Sequence, residues 1–383
     1  MIQKIAILGA NGFIGSRTVE MLHLGGIAEV RPVVRTAQGL AGLSRFNLDC
    51  RIADARHEAS VAVAVEGCDA IVHAVAGGPS TILKSAASVY RAAERAGIKR
   101  LVYLSTASVH GQSPPPGTDE NARLSEHQPV AYNNAKVKAE CRLLALRGRS
   151  PVELVILRPG IVFGPRSSWI SQLAANLSMG TACWLDGGRG ICNSIYVDNL
   201  VHAIQLALTA NEADGEAFII ADEETVTWAD LYRPVAAALG FDVADMPDAS
   251  GIKGVRTWRD VLDALHRHPA IRPLWLHLPR RLRSTLIAAL SPLPPPVPAP
   301  WAYPAIGGAS HVPHEATLEM AMLYRCTVKL SDAKARRVLG YKPIVTFAEG
   351  CRRTLGWLEF AGYPLVPDYL SRAASAMRGY SAR

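Results

Sequence analysis

Residues 2–15 read Ile-Gln-Lys-Ile-Ala-Ile-Leu-Gly-Ala-Asn-Gly-Phe-Ile-Gly, an apolar run followed by three glycines. The run is short and rich in isoleucine, which predicts a buried parallel strand. Gly9 suits a tight turn, Gly12 lets the backbone approach a pyrophosphate, and Gly15 lets the next helix, predicted over 16–24, pack closely on the strand. This strand, glycine loop and helix predict a dinucleotide-binding unit.

The alternation of strands and helices continues along the chain. Apolar runs and helical composition predict strands at 30–34, 69–75, 100–105, 152–157 and 217–221, and helices at 83–96, 132–146, 198–208, 228–239, 331–339 and 347–360. This spacing predicts right-handed βαβ units in an α/β fold with a Rossmann-type, doubly wound parallel sheet. We expect a nucleotide-binding domain over 1–160, with returning segments near 191–222, and a smaller, mainly substrate-binding α/β region over 161–383.

Bulk composition indicates a globular protein: 49% of the 383 residues are hydrophobic and 19% are charged. Residues 253–283 hold eight basic and two acidic side chains, which gives this segment a net charge of +6. The whole chain carries +8, so the remainder of the chain is close to neutral and gives no indication of nucleic-acid binding. The seven cysteines form no C-x-x-C pair, which predicts free thiols in a reducing compartment. Because the start resembles no signal peptide and no run reaches ~18 apolar residues, a cytoplasmic protein is expected.

The end of the second predicted strand bears on the choice of dinucleotide. An acidic residue there would bind the ribose hydroxyls of NAD, but this strand ends in Val-Val-Arg-Thr, with Arg35 in that place. Arg35 is therefore expected to meet a 2′-phosphate, with Arg17 as a second candidate, and NADP is preferred over NAD. Asp54, after the third strand, is a candidate for an adenine contact.

Tyr132 and Lys136 are four residues apart on a predicted helix and therefore share one face. A neighbouring ammonium, together with a cationic nicotinamide, favours the phenolate and would lower the pKa of the tyrosine, so that the phenolate can accept a proton from an alcohol. Upstream, residues 101–111 form an apolar strand that ends in a cluster of hydroxyls. A hydroxyl in this cluster could bind the substrate oxygen opposite the tyrosine.

Together these motifs resemble the NAD-dependent epimerase/dehydratase family of extended short-chain dehydrogenases, over about residues 2–240 and again over 328–357. Matching segments are Gly9–Gly15, His73–Ala76, Ser105–Gly111, Tyr132–Lys136, Leu157–Pro165 and Tyr196–Asn199. The resemblance implies that Tyr132 is the general base or acid, that Lys136 holds the nicotinamide ribose, and that Thr106 orients the substrate oxygen. The implied cofactor contacts are Gly9, Asn11, Gly12, Phe13, Ile14, Gly15, Arg35, Asp54, Ala74, Val75, Ala76, Tyr132, Lys136 and Pro159. A homodimer is also implied.

The chain departs from the family at the residues after Thr106. Sugar dehydratases of the family usually carry Asp-Glu there, whereas this chain has Ala107-Ser108, so 4,6-dehydration is not expected. His110 replaces the usual tyrosine, which we interpret as a packing change.

Three functions remain open. The first is nucleotide-sugar epimerisation, with basic side chains clamping the diphosphate; candidate substrate contacts are Ser108, Arg166, Arg189 and Asn193. The second is a hydroxysteroid-dehydrogenase-like dehydrogenase or ketone reductase acting on a lipophilic substrate. It is motivated by the apolar, Pro-rich and basic stretch 271–301 within the insertion 253–310, which could lie on a membrane surface as a peripheral contact or form a wall of a lipophilic pocket. The third is a non-catalytic NADP-binding protein, and in none of the three is a metal site expected.

Overall fold

Seven parallel strands form the central sheet of the protein. The computed structural model describes residues 2–249, 251–252 and 315–377. Within these residues the strands are β1 Lys4–Leu8, β2 Glu29–Val34, β3 Arg51–Ile52, β4 Ala70–His73, β5 Arg100–Leu104, β6 Glu153–Pro159, β7 Ile161–Phe163, β8 Ile191–Cys192, β9 Ser194–Tyr196, β10 Ala217–Ile220, β11 Val226–Thr227, β12 Gly251–Ile252 and β13 Glu315–Ala316. The sheet order is β10-β6-β5-β4-β1-β2-β3, and every neighbouring pair is parallel.

Helices connect these strands. They are α1 Phe13–Leu24, α2 Glu58–Val65, α3 Pro79–Arg95, α4 Ala131–Arg147, α5 Ser168–Ser178, α6 Val197–Thr209, α7 Trp228–Ala238, α8 Leu318–Tyr324, α9 Ala333–Leu339, α10 Phe347–Phe360 and α11 Tyr369–Met377. In the described part of the chain, no helix combines the length and the apolar composition needed to cross a bilayer.

Two hydrophobic cores cover the two faces of the sheet. One packs α1, α6 and α9 against it, through side chains such as Val19, Ile204 and Leu339. The other packs α2, α3 and α4 against the opposite face, through side chains such as Val61 and Val89. Helices on both faces of a parallel sheet are the arrangement expected from the βαβ pattern, so the predicted doubly wound α/β fold is confirmed.

A third core lies beyond the main sheet. It is formed by α5, α7, α10 and α11 with the ends of β7 and β9, and large buried side chains such as Phe163, Trp228 and Phe347 fill it. Two small sheets accompany it: β7 pairs with β9 in parallel, and β8 pairs with β11 in antiparallel. The predicted substrate-binding region contains this core, whereas the insertion 253–310 and its segment 271–301 lie outside the described residues.

Candidate functional site

The glycine loop brings the backbone of β1 close to that of its neighbours. Gly9 has φ +81°, and a Cβ atom there would lie 2.7 Å from the carbonyl oxygen of Ala74. A Cβ atom on Gly15 would lie 2.2 Å from the carbonyl oxygen of Gly9. Gly12 is the N-cap of α1 and makes no side-chain cap, so the first N–H groups of the helix are available to an anion. Side chains at Gly9 and Gly15 would therefore collide with the backbone, and glycine at these positions lets the loop adopt its compact shape.

A cleft of about 400 Å³ opens from this loop, at the carboxyl ends of β1, β2 and β4. The cleft lies at the switch point of the doubly wound sheet, where the strand order runs from β1 to β2 and β3 on one side and continues with β4 on the other. Dinucleotides bind at this point in such sheets. Ten of the predicted cofactor residues line the cleft: Gly9, Asn11, Gly12, Phe13, Ile14, Arg35, Asp54, Ala74, Val75 and Ala76. Gly15 packs beneath the loop, and Pro159, Tyr132 and Lys136 lie outside this lining.

Charged side chains of the cleft differ in what they contact. Arg35 is exposed at the end of β2 and has no ion-pair partner among the described residues. Asp54 accepts hydrogen bonds from the guanidinium of Arg56, with Nε at 3.0 Å, and from its backbone N–H at 2.9 Å, which hold the pKa of Asp54 well below its usual range. The cleft thus leaves Arg35 unneutralised, and its residues fit a dinucleotide.

Arg17 does not serve the role considered for it. Its Nε lies 2.7 Å from Oδ1 of Asp198 in α6, and its Nη1 lies 2.9 Å from Glu20. Asp198 also receives Nη1 of Arg353 from α10, at 3.2 Å. Two carboxylates already neutralise Arg17, so the expectation that it assists with a 2′-phosphate is corrected.

The predicted catalytic pair lies on α4, but the two side chains have different surroundings. Lys136 is 3% exposed, and its Nζ donates to the carbonyl oxygen of Leu104 at 2.7 Å and to the Tyr103 hydroxyl at 3.4 Å. Burial lowers the pKa of Lys136 to about 8, while the Glu140 carboxylate opposes this change. Tyr132 is 37% exposed. The lysine is thus anchored to the end of β5.

The pKa of Tyr132 departs in the direction opposite to that expected from Lys136. Loss of solvation at the phenol raises this pKa, and the charge of Glu319 on α8 raises it further. The physical reason is that Lys136 directs its hydrogen bonds to Leu104 and Tyr103 and not to the phenol. The protein groups alone therefore hold Tyr132 in its protonated form.

Thr106 follows β5 and begins a short 3-10 helix, Ala107–His110. Its Oγ1 accepts a hydrogen bond from the backbone N–H of Ser108 at 3.2 Å. A hydroxyl that accepts in this way still has its own proton to donate. Thr106 can therefore donate a hydrogen bond to a substrate oxygen, as the resemblance implies.

A buried ion pair beneath these groups was not predicted from the sequence. Glu140 lies one and two turns along α4 from Lys136 and Tyr132, and Nη2 of Arg158 in β6 lies 2.7 Å from its Oε2. The Ser105 hydroxyl donates to the same carboxylate, and Arg158 also donates to Nε2 of His110 at 3.2 Å. Helix α4, β5 and β6 are thus tied together behind the site. The sequence did contain one indication of this ion pair: Glu140 lies eight residues after Tyr132, on the same predicted face of the helix.

A second, smaller cavity of about 30 Å³ lies beside the 3-10 helix. Its lining is mostly apolar and consists of Ala107, Ser108, Gly111, Gln112, Pro114, Gly160, Ile161, Ile191, Asn193, Leu323, Cys326 and Leu330. Ser108 and Asn193, two of the predicted substrate contacts, are therefore brought together here.

The other two predicted substrate contacts lie elsewhere. Arg166 donates through Nη1 to the Ser16 hydroxyl on α1 at 2.9 Å, and Arg189 is exposed on a loop before β8.

The side-chain amide of Asn193, in the small cavity, already binds the backbone of the protein. Its Nδ2 donates to the carbonyl oxygen of Val328 at 2.9 Å, and its Oδ1 accepts from the backbone N–H of Leu330 at 2.8 Å.

Comparison with known proteins places this geometry in context. A model of the NAD dependent epimerase/dehydratase family matches residues 5–221. A 3-beta-hydroxysteroid dehydrogenase of Mycolicibacterium neoaurum is 25% identical over 90% of the chain and 88% of its own length. A UDP-glucose 4-epimerase of Vibrio cholerae is 24% identical over 64% of the chain and 79% of its own length.

Solved structures share the fold. A dTDP-glucose 4,6-dehydratase from Streptomyces venezuelae, solved with NAD bound, has a TM-score of 0.67 and 20% identity, covering 94% of this chain and 97% of that one. At this level of identity the likeness concerns the fold of the two chains.

Proposed function

Because the chain belongs to the NAD-dependent epimerase/dehydratase family, we propose that it is an NAD(P)-dependent oxidoreductase that interconverts a secondary alcohol and a ketone on a lipophilic substrate. The observation that supports the substrate class is the mostly apolar lining of the cavity at Ala107 and Ser108, whose volume of about 30 Å³ would take one group of the substrate and not the whole molecule. No lysine or arginine of the described residues lines it.

Three side chains perform the proposed proton chemistry. Tyr132 accepts the proton of the substrate hydroxyl during oxidation and returns it during reduction. Thr106 donates a hydrogen bond to the same substrate oxygen, and Lys136 holds the ribose side of the cofactor while anchored to Leu104. The nicotinamide, when bound, carries the hydride.

The apolar lining favours a lipophilic substrate over a nucleotide sugar. A diphosphate needs charge-assisted hydrogen bonds, which arginine provides best. Neither Arg166 nor Arg189 lines the cavity, whereas Ile161, Ile191 and Leu323 do. Apolar walls with few polar groups are typical of sites for apolar small molecules.

Nucleotide-sugar epimerisation, the first choice from the sequence, is retained as the second candidate. It is favoured by the likeness to the Vibrio cholerae UDP-glucose 4-epimerase. An epimerase leaves the redox state of its cofactor unchanged over many turnovers, whereas a dehydrogenase accumulates NAD(P)H in proportion to product.

We also propose that the cofactor is NADP. The support is Arg35, exposed in the cleft without an ion-pair partner among the described residues, where a carboxylate would be expected for NAD. Arg35→Ala is expected to weaken NADP binding by about tenfold or more while changing NAD binding much less, as measured by calorimetry. Equal losses for both dinucleotides would contradict the preference.

The proposed activity is tested by incubating the protein with NADP and a 3β-hydroxysteroid, and with NADP and UDP-glucose, while absorbance at the reduced-cofactor band is followed. The expected result is NADPH formation with the steroid. Tyr132→Phe should abolish it while leaving cofactor binding largely intact, because phenylalanine keeps the aromatic ring and removes only the hydroxyl that transfers the proton. Sugar epimerisation without net NADPH would select the second candidate, and unchanged turnover by Tyr132→Phe would refute the role of the tyrosine.

A further inference from the structure

Gln112 connects the catalytic loop to helix α8. It follows the 3-10 helix by two residues, is 6% exposed, and lines the small cavity at Ala107 and Ser108. Its Nε2 donates to Oε1 of Glu319 at 3.2 Å. A side-chain contact thus joins two segments that are 207 residues apart in the chain.

The contact with Glu319 determines which way the amide points. An ionised carboxylate can only accept hydrogen bonds, so the NH₂ group of Gln112 must face Glu319 and its carbonyl oxygen must face away. That carbonyl oxygen, Oε1, is buried and has no hydrogen-bond partner among the described residues. Buried acceptors are normally satisfied, so an unsatisfied one in a cavity wall indicates that a water molecule or a hydroxyl group of a ligand binds there.

Two other polar groups of the cavity are already engaged. Both ends of the Asn193 amide bind the backbone at residues 328 and 330. The backbone N–H of Ser108 binds Thr106. The carbonyl of Gln112 therefore stands as an unengaged acceptor among apolar side chains such as Ile191 and Leu330.

We propose that Gln112 is a specificity-determining residue that accepts a hydrogen bond from a hydroxyl group of the substrate, distinct from the hydroxyl or ketone that reacts at Tyr132. Glu319 is the positioning residue that holds the amide in the accepting orientation. The ligand is a neutral, lipophilic molecule with at least two oxygen functions, since an acceptor beside a carboxylate repels phosphate and carboxylate groups. This inference rests on the proposed function for its substrate class.

The test measures binding to the full-length protein. The ligands are a 3β-hydroxysteroid and three derivatives with a second hydroxyl at carbon 7, 11 or 17, in the presence of NADP, with affinity read by titration calorimetry. The expected result is that at least one dihydroxysteroid binds about tenfold or more tightly than the parent to the wild type. Gln112→Leu should lose this preference, because leucine offers no acceptor. Gln172→Leu, at an exposed position of α5, is the matched control and should keep it.

A second variant separates orientation from folding. Glu319→Gln leaves the acceptor in place but allows the Gln112 amide to turn over, so the preference should fall partially while the melting temperature stays near that of the wild type. The inference is overturned if no dihydroxysteroid is preferred, if no steroid binds, or if the preference survives in Gln112→Leu. Turnover of the parent steroid reports on the proposed function alone, because the parent lacks the second hydroxyl.

Discussion

Replacing the buried lysine should remove activity and, at neutral pH, stabilise the fold. Lys136 is 3% exposed, and burial lowers its pKa from 10.5 to about 8. A pKa difference of this size corresponds to about 3 kcal/mol, which the folded state loses by keeping the amine charged. Lys136→Met removes that cost but also removes the hydrogen bond to Leu104 O, worth about 1 kcal/mol. The free energy of unfolding is therefore expected to rise by about 2 kcal/mol at pH 7.

The sign of this effect depends on pH. Below about pH 8 the lysine is charged in both states and the folded state bears the full cost. Between about pH 8 and 10.5 the unfolded chain binds one proton more than the folded protein, so the stability of the wild type rises with pH. The advantage of Lys136→Met should therefore shrink over this interval and reverse by about pH 10.5, where only the lost hydrogen bond remains.

Urea unfolding of both proteins at pH 7 and pH 10, followed by tryptophan fluorescence, measures the difference. Lys138→Met is the matched control on the same helix, since its side chain is 46% exposed and should change stability by no more than about 0.5 kcal/mol. Turnover should be lost in Lys136→Met and retained in the control. A constant stability difference between wild type and Lys136→Met at the two pH values would refute the assignment of a buried, depressed ammonium.

Three further predictions concern residues around the site. Glu140→Gln should destabilise the protein by about 3–5 kcal/mol in urea unfolding, because Arg158, whose side chain is 5% exposed, loses its buried carboxylate; adding Arg158→Met should recover most of the loss. Gly9→Ala should abolish NADPH binding as read by cofactor fluorescence, because its Cβ atom would meet Ala74 O at 2.7 Å; Gly78→Ala, where a Cβ meets nothing within 4 Å, should bind normally. His73→Phe should be neutral or stabilising by about 1 kcal/mol, because neither ring nitrogen has a partner among the described residues. Since burial lowers the pKa of His73 to about 3, that advantage should grow as the pH falls below 6.5, and a decrease would contradict it.

The sequence was sufficient for the parts of the fold that have strong local patterns. The parallel strands and the long helices α1, α3, α4 and α10 follow from apolar runs and helical periodicity, and α10 was predicted at its observed bounds, Phe347–Phe360. Helix α1 begins at Phe13 and not at Ser16, because Gly12 acts as the N-cap. The glycine loop could also be predicted from the local sequence, because only glycine tolerates the close backbone contacts and the positive φ that this loop requires.

Short elements and side-chain partners could not be predicted. Helices α5, α8 and α11 have 7 to 11 residues and depend on packing in the third core, a tertiary effect that local propensity does not report. The partners of Lys136 are a carbonyl and a phenol from β5, about thirty positions away, and only the parallel sheet brings them together. Glu319 lies 207 positions after Gln112 in the sequence, and no motif in its neighbourhood connects it to Gln112.

The carboxylate of Asp198 joins three helices, since it lies on α6 and receives Arg17 from α1 and Arg353 from α10. Helix α1, whose first turn we propose to face the cofactor phosphates, is consequently held at its side by the shared carboxylate of Asp198. Tilting α1 would break the contact between Arg17 and Asp198, so we expect the phosphate end of the proposed cofactor site to keep its position when a ligand binds. We expect adjustment to substrates of different shape at the opposite wall, where the amide of Gln112 joins α8 to the segment that follows Thr106.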